Sequence, residues 1–583
     1  MQTVKKHWKL FLAGSLTAAG IFFSPHLISR AQYYHVNHQF EAFTDALFSA
    51  DVCGNALNLH YILANPEDLG ITDYRISLGS FHPSQIAVQR ITCENRLCAL
   101  QSYDPEYLSL QNRLTRDILL LFYETELMPG NQYLFSEVLS PSLGNQAQLP
   151  ILLAEYTFRQ ETDIQNYLKI LASVDTYFDG ILSFEQLKSQ NGTFMSDVTA
   201  DRIIQQCTSF IEYPDDNYLK AVFSDKISDF PGLSEQKKEA YENLHEKIID
   251  DQVLPAYQSL IDGIYLLKGT GKNPDGLCGF PGGKAYYEYL LKSTCGVYES
   301  VSNIQTRLLQ QLEQDMAEYS SLLSGQQEPT LQAMESTSAM LSEDPEQMLL
   351  ELQNHMQSDF PTAPDTSWQI KYVPSDLEEY LSPAFYLTPP IDTMSPNDIY
   401  LNRHADMSGM TLFTTLAHEG FPGHLYQTIT FSASNPSPVR HTLSMGGYVE
   451  GWATYVETYA YGYADTNPDL ARMAWLNRSV NLCLLSLMDI GIHYNGWDNT
   501  RCRNFLTGFG ITDPQTQDEI RQTIIEDPAN YLKYYLGYLH FLDLKESQKQ
   551  ELGDDFNLKE FHRKILTIGP CQFPVLEKYI DFL

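Results

Sequence analysis

The chain has 583 residues, of which 43% are apolar, and it carries a formal net charge of −35. That apolar content, with 37 tyrosines, excludes a disordered chain and suffices for a large core or several domains. The acidity argues against nucleic acid and anionic membrane surfaces as partners, and suits a protein that stays soluble outside the cell.

Residues 1–30 contain Lys5, Lys6, Lys9 and Arg30 and no acid. They run into an apolar stretch from Leu10 to Phe23, closed by Ser24-Pro25-His26. A positive flank before an apolar stretch of this length predicts a signal peptide or an uncleaved signal anchor. The stretch is short for an unassisted membrane span. Either outcome exports the remainder, and membrane contact is expected only through this segment. Nine cysteines in an exported chain predict disulfides with at least one thiol left over. Cys93 with Cys98, Cys278 with Cys295, and Cys483 with Cys502 are the candidate pairs. The absence of any C-x-x-C argues against a cysteine zinc site.

Residues 32–50 predict a short amphipathic helix around Phe40, Phe43, Leu47 and Phe48. Residues 51–110 mix short apolar segments with turn residues, so 31–110 is expected to pack on a main body formed by 111–583. Long helical patterns cover 113–128, 150–172, 197–212, 235–268 and 298–324. Between Lys237 and Ile261, Tyr241, Leu244, Ile248 and Ile249 share one stripe, with Pro255 expected to kink or divide the helix. Ser324 to Asp344 reads as a linker or, through Leu331, Met334, Met340 and Leu341, as a helix. Three short strands follow, at 369–373, 384–387 and 399–401, with Thr388-Pro389-Pro390 stopping the second. Helices are predicted again at 467–495, 514–526, 530–545 and 555–567. The fold class is therefore mainly α with a small β-sheet.

The helix after the strands starts from Ser408 as a candidate N-cap, with Met410, Phe413, Leu416 and Ala417 as its apolar stripe. It leads into His418-Glu419-Gly420-Phe421-Pro422-Gly423-His424. Two imidazoles beside a carboxylate are the parts of a hydrolytic zinc site, in which three protein ligands leave a position for water. The common metalloprotease motif sets its histidines at i and i+4, on one helix face. Here the second histidine is at i+6, about 240° round an ideal helix from the first. Pro422-Gly423 must break or kink the helix if both are to reach one metal. A helix end with two ordinary surface histidines is the alternative. The next helical pattern, Tyr448 to Tyr461, puts Glu450, Thr454 and Glu457 on one face among Val449, Trp452, Tyr455, Val456 and Tyr459. Glutamates in so apolar a helix need partners.

H-E-G-F-P-G-H-L-Y-Q followed by E-G-W-A-T-Y-V-E resembles the signature of the bacterial family known as domain of unknown function 885, whose members are regarded as zincin-like metallopeptidases. The resemblance extends over most of the chain after about residue 100. It includes Gly279-Phe280-Pro281-Gly282-Gly283 with Tyr286-Tyr287, and Tyr534-Tyr535-Leu536-Gly537. It implies a helical zincin-like architecture with a deep cleft between helical halves and the small sheet beside it. The family shares the long histidine spacing, so that departure does not count against a site.

His418, His424 and Glu450 are then the expected Zn²⁺ ligands, and Glu419 the general base. Glu457 is expected behind a ligand imidazole, although helix spacing alone allows it to exchange roles with Glu450. Tyr534 or Tyr535 is the candidate donor to an oxyanion, and core packing is the competing role for each. Arg440 and His441 are candidates to bind a substrate carboxylate or the oxyanion. Tyr286 and Tyr287 are implied by the resemblance to lie near substrate, a simple braced turn being the alternative. The sheet edge is a candidate platform for a peptide added as a strand. Three functions fit: an exported zinc peptidase, a non-catalytic peptide- or partner-binding protein on the same fold, and a zinc hydrolase of another amide. Glu419 favours an enzyme, since binding alone needs no general base.

Overall fold

The computed structural model describes residues 32–582 apart from 274, 326–340, 374–377, 379–381, 406 and 465–466. The apolar run of residues 10–23 and most of the predicted linker lie outside the described residues. Elsewhere the chain is a succession of helices interrupted once by a three-stranded sheet.

Local chemistry places many helix starts: Ser109, Ser196, Ser234, Asp344, Asn467 and Asp513 each accept a backbone N–H of the first turn. The predicted 235–268 helix does run on through Pro255. A single π turn at Ile249–Val253 lies between Glu235–Ile248 and Leu254–Leu267, so the α-helical ladder is already interrupted just before the proline that would break it. The 150–172 pattern instead divides into Asn145–Ala154 and Glu161–Leu171. Asp163, bonded to the backbone N–H of Arg159 and Gln160, fixes the second start.

The N-terminal helix, 32–52, packs Phe40, Leu47, Phe48 and Val52 against Leu100, Leu119, Tyr123 and Val439. A second core gathers the helices between Ala56 and Ile264, and the largest core gathers residues from Leu114 to Ile580.

The sheet joins these two larger cores. β1 (Gln369–Tyr372) pairs parallel with β3 (Asp398–Leu401), and β2 (Ala384–Leu387) pairs antiparallel with it, giving the order β1-β3-β2. β3 is buried throughout. Its alternation sends Ile399 and Leu401 into the largest core and Tyr400 into the second. Asp398 accepts from Gln369 at 2.7 Å and Lys371 at 2.6 Å.

None of the expected disulfides forms, and all nine cysteines are free thiols. Cys93 and Cys98 sit on one helix, Pro83–Gln101, where an i, i+5 pair points about 140° apart. Cys278, Cys295 and Cys483 instead face the carbonyls of Ile492, Ala529 and Leu308.

Glycine-to-glycine contact sets the centre of the largest core. The helix Gly446–Tyr463 lies on the helix Asn530–Leu552 so closely that a Cβ on Gly451 would meet the Cα of Gly537 at 2.4 Å. A Cβ on Gly537 would meet the Gly447 carbonyl oxygen at 2.0 Å. Backbone cannot yield as a side-chain tip can. Gly451→Ala is therefore expected to lower stability by about 1–3 kcal/mol or more through overpacking, read as a fall in the urea midpoint; an unchanged midpoint would show that these helices can separate freely.

Candidate metal centre

The helix Gly409–Glu419 ends in the motif itself. Ser408 occupies its N-cap position without a side-chain cap bond. At the other end the chain does not kink but stops: Gly420 leaves the helix, Phe421–Pro422 is a cis peptide, and a new helix runs His424–Ala433. The break turns His424 back onto the face of His418. Gly423 is obligatory there, because a Cβ would meet the His418 carbonyl oxygen at 1.9 Å. Trp452 Nε1 donates to the Pro422 carbonyl at 3.0 Å, tying the E-G-W segment to the turn.

The imidazoles come together edge to face, with centroids 4.8 Å apart. His418 Nε2 lies 3.5 Å and His424 Nε2 3.4 Å from the same oxygen of Glu450, Oε2. Ligand atoms held about 2.0–2.1 Å from a tetrahedral Zn²⁺ sit about 3.3–3.5 Å from one another. These two edges match that spacing, and the donor set of two imidazoles and a carboxylate suits the metal. Glu419 is also near: one of its oxygens and a nitrogen from each histidine lie within 4.8 Å of one another. Its Oε2, however, accepts the Tyr386 N–H at 2.9 Å, which holds it against the sheet. Glu450, at nearly equal distances from both imidazoles, is the better third ligand.

Glu457 stands behind His418. Its Oε1 is 2.8 Å from His418 Nδ1, the nitrogen turned away from Glu450. Arg478 closes on the same carboxylate, Nε to Oε2 at 3.1 Å and Nη2 to Oε1 at 3.4 Å. The two glutamates left interchangeable by helix spacing thus face different nitrogens of one ring. His424 has no such support: among the described residues its buried Nδ1 has no hydrogen-bond partner.

Burial opposes ionisation throughout, yet the neighbours outweigh it. Burial lowers the His418 pKa, but Glu450, Glu457 and Glu419 hold it up at about 10. Glu450, despite its burial, is held well below the usual carboxylate range by His418, His424 and Lys533. Glu457 is likewise lowered against burial by Arg478 and His418. The three glutamates around His418 thus favour its protonated form over the neutral one.

A cavity of about 660 Å³ opens on His418, Glu419 and Glu457, with Ala384 of β2 and Pro383 just before it on one side. Its other walls come from the helices Gly409–Glu419, Gly446–Tyr463, Pro468–His493 and Asn530–Leu552. Tyr534 belongs to it and stacks on His418 with centroids 6.2 Å apart. Burial, and then Glu450 and Glu419, push the Tyr534 pKa far up, so its hydroxyl stays protonated.

The other sequence-derived candidates go elsewhere. Tyr535, about 100° round its helix from Tyr534, is buried and pairs with Ser479 at 2.8 Å and Asp315 at 3.4 Å. Arg440 is buried and donates to the Ile568 and Pro570 carbonyls. His441 packs on Phe431 and lines a separate cavity of about 590 Å³. Tyr286 packs on Phe135, and Tyr287 donates to Asp489 at 2.5 Å. Neither tyrosine lines the metal cavity. What the sequence reading missed is Arg478, a charge inside the mostly buried helix Pro468–His493; that context was the available signal.

A family model described as "Bacterial protein of unknown function (DUF885)" matches residues 66–580. The chain belongs to the DUF885 family. None of the curated proteins compared with it matches. Among solved structures, the "putative lipoprotein from Colwellia psychrerythraea" superposes with a TM-score of 0.80 at 20% identity, covering 94% of this chain and 99% of that one. A "putative lipoprotein of unknown function from Shewanella oneidensis" gives 0.64 at 15% identity, covering 93% and 99%. At these identities the likeness is one of fold.

Tyr287 helps to hold this DUF885 site from outside. Asp489 accepts its hydroxyl and the Ala529 N–H, at 3.0 Å, just before the Tyr534 helix begins. Burial raises the Asp489 pKa to about 7. The folded protein keeps this proton at pH values where the unfolded chain has released it, so this group's contribution to stability falls as pH rises from about 4 to 7. Asp489→Asn is expected to abolish that component: the urea midpoint of the variant relative to wild type should rise between pH 5 and pH 8. A constant difference would show that Asp489 is ionised throughout.

Proposed function

We propose that this DUF885 protein is an exported zinc-dependent metallopeptidase of helical, zincin-like architecture. The observation that carries the reading is the division of labour among the acids. One Glu450 oxygen is shared evenly by two imidazoles, while Glu419 is held beside them by a strand N–H whose free edge borders the same cavity.

His418, His424 and Glu450 would hold Zn²⁺, which when bound supplies Lewis acidity and lowers the pKa of a water toward neutrality. Glu457, anchored by Arg478, fixes the His418 ring through Nδ1. Glu419 takes the proton of the attacking water on its carboxylate and passes it to the leaving amine. Its bond from Tyr386 keeps that carboxylate oriented without using up its second oxygen. Tyr534 keeps its proton and so offers a donor to the carbonyl oxygen as that atom gains charge. An extended peptide laid along the β2 edge would pair through its backbone, leaving its side chains to the cavity walls.

Export rests on the Lys-flanked apolar run at the N-terminus. The two solved structures are each described as a "putative lipoprotein", which supports the same side of the membrane. Among the described residues no helix is long and apolar enough to cross a membrane.

Elemental analysis of purified protein tests the ligands. His418→Ala and His424→Ala should each lose most bound zinc while keeping their helical circular dichroism; full occupancy in His424→Ala would remove that residue from the set.

A peptide-library digest tests the base. Glu419→Gln keeps shape and the Tyr386 bond but loses the basic oxygen. It should retain zinc and cleave about 10²–10⁴-fold more slowly. Cleavage at the wild-type rate would overturn the scheme, and a zinc-loaded wild type that cleaves nothing would point to a binding protein.

A further inference from the structure

The cavity has one wall that the proposed chemistry uses only through the hold of Arg478 on Glu457. Ala474, Asn477, Arg478 and Asn481 line it from the helix Pro468–His493, at i, i+3, i+4 and i+7, the spacing of a single helix face. The wall contains no acid, in a chain whose acids far outnumber its bases.

Arg478 is only half engaged. A guanidinium carries five N–H donors in a planar fork, and Glu457 takes one from Nε and one from Nη2. Three remain, at Nη1 and Nη2, the geometry that a second carboxylate meets with two parallel bonds. The Glu457 side chain is 5% exposed and that of Arg478 is 41% exposed. The guanidinium thus has its back to a buried partner and its free edge toward the cavity. Asn477 and Asn481, both exposed on that face, add carboxamide donors beside it.

The acids at this end of the cavity are already committed. Glu457 faces His418 and Arg478, Glu450 faces both imidazoles and Lys533, and Glu419 accepts from Tyr386. The oxygen left free among them, on Glu419, is the one the proposed chemistry needs, so a substrate's free amine would compete with the base, whereas a free carboxylate finds a forked cation.

We propose that Arg478, flanked by Asn477 and Asn481, is a subsite for the C-terminal carboxylate of the substrate, so that the enzyme acts on short peptides near their free C-termini. This rests on the peptidase reading for the cleavage step but not for the binding. Arg478 then has two contacts of opposite direction: it orients Glu457 behind the ligand histidine and receives the substrate's terminus in front.

The test separates the two readings by measuring binding and cleavage with the same probes. Full-length, zinc-loaded Glu419→Gln protein is equilibrated with a randomised N-acetylated tetrapeptide pool, once as free acids and once as C-terminal amides. Retained peptide is quantified by mass spectrometry. The acids are expected to be retained about tenfold or more over the amides, the scale of one lost charge-assisted bond pair. Adding Asn481→Asp places a rival carboxylate beside the Arg478 fork without touching Glu457, and should remove that preference while zinc content stays unchanged. Arg478→Lys keeps the charge but not the fork, and should also lose it. Equal retention of acids and amides by the Glu419→Gln protein, or an acid preference that survives Asn481→Asp, overturns the subsite. If the preference holds but wild type hydrolyses neither pool, the subsite stands and the peptidase reading fails. If wild type cleaves both pools equally with no binding preference, the peptidase reading stands and the subsite fails.

Discussion

Everything at the centre depends on how closely two helix backbones approach. Gly447 and Gly451 on one helix and Gly537 on the other leave no room for side chains between them. The helix carrying Glu450 and Glu457 is thereby pressed onto the helix carrying Lys533 and Tyr534. Lys533 comes within 3.7 Å of Glu450, and Tyr534 reaches the face of His418. The second constraint is the Trp452 bond to the Pro422 carbonyl, which fixes the glutamate helix to the turn between the histidines. A glycine contact sets the distance and an indole N–H sets the rotation. The first is a matter of excluded volume and the second of a buried acceptor that must be satisfied.

These contacts explain why the legible motifs were legible. In H-E-G-F-P-G-H, E-G-W and Y-Y-L-G, the glycines and the tryptophan are the parts that allow approach, and the charged residues are the parts delivered. The three strands were readable to within a residue, because β-branched and aromatic runs between turn residues have few other uses. The helices at 197–211, 514–526 and 558–568 were readable from their stripes and caps.

Other features were not readable, each for a physical reason. Pro83–Gln101 is a helix that fully buries only Leu100, so its sequence carries no clear stripe. The cysteine pairs were inferred from compartment and proximity along the chain, and neither reports the direction of a side chain. Tyr534 and Tyr535 are neighbours, and a helix sends consecutive residues about 100° apart; only the packing shows that the first faces His418 and the second faces Ser479 and Asp315. Arg440 and His441 precede the glutamate helix in sequence, yet Arg440 is tied to the Ile568 and Pro570 carbonyls and His441 lines a different cavity. Arg478 lies 60 residues beyond His418 with no motif around it, and it is found only by following His418 to Glu457 and onward.

The charges at the centre account for why its acids are so numerous. Three carboxylates, Glu419, Glu450 and Glu457, are buried or nearly so and face two fixed cations, Arg478 and Lys533. One negative charge is left over, and buried charge without a partner is costly. In the metal-free protein a proton on His418 supplies the balance, which is why its pKa is held up against burial. A divalent ion held as proposed would displace that proton and turn the deficit into a single excess positive charge. The same cluster, neutral when empty of metal, would then attract an anion. In a chain whose net charge is −35, that local reversal would draw the anion to the cavity that Arg478 lines.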